Sequence, residues 1–237
     1  MDTRPNGNNQ DEGIKRVGGN RFLRLWAQAG WTASAAIAFG ALYFFIRQFF
    51  KDGIWRFDLS LVNKSLGTAS LFLISLSMLM TGVCYFSRGS NRALAYRKYY
   101  GLAGFWLGLA HGIATHFVLP ALGLHPEREL NGLISDTPGV LALVLFGAMA
   151  VLSNRRAKRR IGGEAWRKFL RYGGYSALLL AAAHAGILKW SSWTKYVRTF
   201  DSVLPSLSLP VVAFAAAAVV LRLAVWVADV RKSRRPR

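Results

Sequence analysis

The chain has 237 residues, 53% of them hydrophobic, with 31 Lys and Arg against 11 Asp and Glu and a formal net charge of +20. So much apolar content beside so much charge excludes an ordinary soluble domain and points to a polytopic membrane protein with basic loops. Nucleic-acid binding, the main alternative meaning of the charge, is disfavoured, because the cations fall between apolar blocks rather than on one face or patch.

In chain order, residues 1–25 are polar and basic, include "NGNNQDEG", and have no apolar signal-peptide core. They are expected to form a disordered tail. A spanning helix needs about 20 mostly apolar residues. Six stretches qualify, at 27–46, 66–87, 99–121, 137–153, 170–189 and 206–228, the fourth being the shortest. Residues 230–237 form a second basic tail. The expectation is an all-α, polytopic membrane bundle of about six transmembrane helices occupying 26–229.

Lys and Arg in short loops set orientation. Arg4, Lys15, Arg16, Arg21 and Arg24 precede the first span; Arg88, Arg92, Arg97 and Lys98 lie between the second and third. The loop "NRRAKRRIGGEAWRKFLR" carries eight cations and one acid, and the C-terminal "RKSRRPR" five cations. The loop after the third span carries Glu127, Glu129 and Asp136 against Arg128. Both termini are therefore expected in the cytoplasm. The loop 47–65 is mixed and says little, and Lys195 and Arg198 make the last outer loop mildly basic. Trp55, Trp190 and Trp193 stand where interfacial aromatics belong. The cation blocks also imply contact with anionic membrane lipid. Cys84, the sole cysteine, reads as a small packing residue.

Of four histidines, His125 sits in the outer loop beside Pro126. His111 and His116 fall in the third span and His184 in the fifth. Ionisable groups in a membrane interior are costly and face the bundle with a partner. His111 lies thirteen residues past Lys98, and His184 thirteen past Arg171. Both spans start at the cytoplasm, so both imidazoles are expected about 20 Å along their helices, at one depth. Neutral imidazole ligates iron, and a haem takes axial ligands from two opposite sides. Gly108, Ala110 and Gly112, and Ala181 to Gly186 around the other histidine, would let a flat macrocycle approach, though small residues also pack membrane helices. His116 is five residues past His111, about 140° around an α-helix, and reads first as a packing residue, with a hydrogen bond to a haem propionate or a second site near the outer surface as the alternatives.

The basic residues followed by "YYGLAGFWLGLAH", then Trp166, Leu170 and Tyr175 ahead of His184, with "LGTASLFLISLSMLMTG" earlier, resemble the ferric-reductase-like transmembrane domain family. That family includes the membrane haem subunit of the periplasmic methionine-sulfoxide reductase system. The resemblance spans roughly residues 60–190. It implies haem b held by His111 and His184, electron transfer across a bacterial inner membrane, and an oxidoreductase subunit. Where the family often has a further histidine, this chain reads Trp166-Arg167-Lys168-Phe169-Leu170-Arg171. Arg171, and Arg97 just before the third span, cannot ligate iron, so an inner haem is not expected. Both stand where FMN or a quinone would meet a positive rim. Seven residues follow Val230 and no Gly-rich dinucleotide loop is present, so no NAD(P)H site of its own is expected. The expected partners are a separate redox donor and an outer-side acceptor protein or ferric ion. Two other readings compete: a transporter with the histidines lining its path, disfavoured by the lack of Asp and Glu in the six stretches, and a haem-free scaffold or assembly protein of the same fold.

Overall fold

A computed structural model of the chain describes residues 7–87, 93–124, 131–200 and 203–233. The side chains of 7–21, 131–133, 135, 155 and 233 are outside that description, and so are His125, Arg88, Arg92 and the loop acids Glu127 and Glu129. The described residues are helical and contain no strand. The helices are α1 (Gly7–Asp52), α2 (Leu59–Phe86), α3 (Leu94–Ile113), a π turn (Ala114–Val118), α4 (Leu119–Ala121), α5 (Asn131–Leu152), α6 (Arg155–Ile161), α7 (Gly163–Thr199) and α8 (Ser208–Ser233).

Among the described residues, four helices are long and apolar enough to cross a membrane: Phe22–Asp52, Leu59–Phe86, Leu94–Ala121 and Ser208–Lys232. The apolar stretch Asp136–Leu152 of α5 is shorter. α7 is the second-longest helix, but charged residues flank its apolar middle at Arg171 and Lys189. The distribution of side chains is that of a protein in lipid. Trp31, Phe39, Trp106, Val144, Leu223 and Trp226 face outward, while Asn63, Ser65, Ser70, Ser75 and Ser77 are buried.

α2 is the central helix, packed on α1, α3, α7 and α8. Its Leu71, Ile74 and Met78 join Ala142 and Phe146 of α5, Ala177 and Leu178 of α7, and Ala215 and Ala218 of α8 in one core. On its other side Leu73 packs with Ala29 and Ala33 of α1 and Tyr100 of α3. Where helices share no hydrophobic drive, small residues and hydroxyls bring them together. Ser70 Oγ donates to Gly104 O at 2.7 Å, and Ser77 Oγ to Arg97 O at 2.7 Å. A Cβ at Gly104 would stand 2.7 Å from Ile74 Cγ1 and 3.0 Å from Ser70 O, so only glycine permits this approach. Ser65 and Ser75 donate back to the carbonyls of Leu61 and Leu71 one turn earlier, which satisfies each buried hydroxyl within α2.

Several expectations change. α1 is helical from Gly7, through most of the segment expected to be a disordered tail. Once the apolar part nucleates a helix, each added residue costs little, so the helix extends upstream. At the other end α8 runs to Ser233, into the expected tail 230–237. α2 begins at Leu59 rather than 66, because Asp58 caps it: its Oδ1 accepts from Leu61 N at 2.9 Å. Trp55 stacks on Phe49 and is exposed, as is Trp190, but Trp193 is buried and its indole N–H donates to Ser208 Oγ at 3.1 Å.

Candidate functional site

The polar interior at the end of the bundle where α2 begins is built around His111. Its Nδ1 lies 3.0 Å from Asn63 O and 2.9 Å from Asn63 Oδ1. A backbone carbonyl only accepts, so Nδ1 carries the proton and Nε2 keeps its lone pair. The amide of Asn63 is oriented by its other bond, Nδ2 to Thr115 Oγ1 at 2.9 Å. Thr115 in turn donates to His111 O at 2.8 Å. The ring of bonds runs from His111 to Asn63, to Thr115 and back to His111, and pins α3 to α2. Such outer contacts set the tautomer and orientation of a ligating imidazole.

Glycines of neighbouring helices receive both rings. A Cβ at Gly67 on α2 would stand 3.1 Å from Cδ2, Cε1 and Nε2 of His111. A Cβ at Gly139 on α5 would stand 2.9 Å from His184 Nδ1. The helix registers bring the two histidines to one level. Gly147 of α5 sits by Phe105 of α3, and Leu143 fills the space over Gly108 and Gly112. Gly139, one turn further along α5, therefore falls beside the segment that carries His111. His184, His116 and Asp136 are the titratable groups within electrostatic reach of His111.

Gly108 and Gly112 are not open platforms beside His111. Gly108 is closed by Ser70 and Leu143, and Gly112 by Leu143. The small residues that matter to the imidazoles are Gly67 and Gly139, which are on other helices. His116 lies in the π turn, where Leu119 N–H reaches back five residues to Ala114 O. The offset expected of an α-helix does not apply there, because the wider turn rotates the residues beyond it. Two local causes coincide. Thr115 Oγ1 occupies His111 O, and Pro120 has no N–H for the carbonyl of His116.

The arginines lie toward the other end of the bundle, where α3 and α7 begin. Arg97 is half-buried, with Nη2 3.8 Å from Met78 Sδ. Arg171 is exposed. Arg171, Arg222 of α8 and Tyr175 of α7 all lie within electrostatic reach of Arg97. Lys98 is drawn away instead: its Nζ donates to Ser153 O at 2.9 Å beyond the C-terminus of α5. Sequence reasoning missed Asn63, Thr115, Gly67, Gly139 and Arg222, and took Tyr175 only as part of a spacing pattern. Only Arg222 carried a signal, as a lone cation within an apolar span.

Among the described residues, no group of three or more His, Cys, Asp or Glu side chains gathers as a bare-metal site. In comparisons with known proteins, the chain matches no family model and no curated protein. What fold and side-chain distribution define is a helical protein with, among the described residues, four helices fit to cross a membrane.

Proposed function

We propose that the protein is a haem b electron-transfer module of a bacterial inner membrane, related to the ferric-reductase-like transmembrane family, in which His111 and His184 would hold the haem iron. One observation carries this reading. The Nδ1–H of His111 is committed to Asn63, which leaves the Nε2 lone pair unprotonated beside Gly67, and a second imidazole, His184, lies within electrostatic reach on another helix. The donor set fits the group: two imidazoles complete an iron that already has four macrocycle nitrogens. When bound, haem b supplies a one-electron couple.

The chain's own residues supply position and insulation. Asn63 and Thr115 hold the His111 ring, Gly67 and Gly139 give the two rings room, and the outward apolar faces keep water away. Arg97 and Arg171 have no lone pair for iron and mark the cytoplasmic rim, where a quinone or FMN donor would dock. In this reading six helices span, both termini are cytoplasmic, and a periplasmic redox protein or ferric ion takes the electron on the outer side. A haem-free scaffold is the competing reading, favoured by the direct packing of both rings on glycine.

The test is the reduced-minus-oxidised visible spectrum of the full chain, purified in detergent after haem-supplemented expression. A sharp low-spin b-type signal, abolished in both His111→Ala and His184→Ala, is expected. A featureless spectrum from folded wild-type protein selects the scaffold. Loss in His116→Ala with retention in His111→Ala would move the ligand to the π turn.

A further inference from the structure

The arginine end of the bundle has more positive charge than its partners explain. Arg97 Nη2 rests on Met78 Sδ, and Met78 Cε in turn fills the space over Gly174, where a Cβ would stand 2.5 Å away. Tyr175 follows Gly174, and Arg171 lies one helical turn before Tyr175 on the same face of α7. Arg222 is next to Leu221, which closes over Gly82 of α2, one turn past Met78. Three helices, α3, α7 and α8, thus deliver three guanidiniums and a phenol toward one level beside α2. The ion pairs of the described residues are Lys51 with Asp52, Arg56 with Asp58 and Lys168 with Glu164, so no described carboxylate pairs with any of the three arginines. Asp229, the acid further along α8, accepts from Tyr85 at 2.6 Å. The Tyr175 hydroxyl is buried and has no hydrogen-bond partner among the described residues.

Like charges gathered at a partly buried surface repel, and a buried hydroxyl without a partner is destabilising. One anion with several acceptor oxygens answers both. We propose that Arg97, Arg171 and Arg222, with the Tyr175 hydroxyl, form a binding site for a phosphoryl group, carried by an anionic phospholipid headgroup or by free phosphate. The guanidinium fork matches phosphate oxygens two at a time, and the phenol donates to a further one. Basic pockets between membrane helices hold headgroups in this way. The site does not depend on haem, so its failure and that of the electron-transfer reading are separate results.

The experiment is thermal unfolding of the full chain in neutral detergent, at fixed ionic strength, with increasing phosphatidylglycerol, inorganic phosphate or diacylglycerol. A saturable rise in Tm with phosphatidylglycerol, and none with diacylglycerol, is expected. A matching rise with inorganic phosphate identifies free phosphate as a ligand, and its absence assigns the site to the lipid headgroup. Arg222→Gln should weaken the response by about tenfold, as loss of a charged fork would. Arg222→Lys, which keeps the charge and loses the fork, covers the case in which the first variant does not fold, and should also weaken it. Tyr175→Phe should weaken the response while leaving the Tm without ligand unchanged or higher. An equal rise with diacylglycerol or chloride, no rise with either phosphate source, or a wild-type response in both Arg222→Lys and Tyr175→Phe overturns the proposal.

Discussion

The two polar regions of the interior are opposites. Around His111 the bonds close on themselves: Asn63, Thr115 and the imidazole satisfy one another within the protein. Around Arg97 the donors converge, and no described residue accepts from Tyr175. A closed network holds a side chain in one orientation before any ligand comes. An open set of donors keeps its free energy for a partner. The contrast suits a fixed ligand to a metal at one end and an exchangeable anion at the other.

The largest test of the closed region is Asn63→Leu. It removes the acceptor Oδ1 of His111 and the donor to Thr115 together, and puts a branched apolar group in their place. A loss of about 1–3 kcal/mol is expected, read as a lower Tm in detergent, with broadening of any haem signal because only the backbone carbonyl of residue 63 still holds the ring. Gly139→Ala comes next. Its Cβ would stand 2.9 Å from His184 Nδ1, against 3.1 Å for the same change at Gly67. Both should cost about 1–3 kcal/mol as overpacking, with Gly139→Ala the worse in unfolding and in haem content. In the open region the sign reverses. Without ligand, Tyr175→Phe should hold or raise the Tm by up to about 1 kcal/mol of stability, since it deletes an unpaired hydroxyl.

The smallest effect is at Asp58, outside both regions. Burial alone would raise its pKa, but the Ser60 hydroxyl, the Leu61 N–H, Lys64 and Arg56 outweigh burial and hold it below the ordinary carboxylate value. A lowered folded pKa gives stability that is present above the unfolded value, near 4, and is lost as pH falls through the folded one. The cap should therefore weaken only in acid. Asp58→Asn, which can still accept from Leu61, should flatten that acid limb in a Tm-against-pH series by at most about 1 kcal/mol.

The helices were legible because length and apolarity decide them. The histidines were legible because an imidazole in an apolar run stands out. Asn63 was not, since the mixed composition of 47–65 reads as loop and the cap at Asp58 is what carries the helix back to it. Gly67 and Gly139 look like any membrane glycine until the neighbouring helices are in place. The glycines beside His111 in sequence were misleading for the same reason: adjacency along a helix is not adjacency across an interface. Trp193 reads as an interfacial anchor by position, yet a partner hydroxyl on α8 draws it inside.

The π turn of Ala114–Val118 makes α3 a helix with a phase shift in it. The residues before it keep one angular register with α2 and α5, and those after it keep another. Shortening this turn by one residue would restore a continuous α-helix and swing Leu119–Ala121 by about 100° relative to His111. A length change of one, harmless in a loop, would here turn the buried side of Leu119 toward lipid. The extra residue works as a gear tooth: it lets one helix present an imidazole to the interior and still bury Leu119 beyond it.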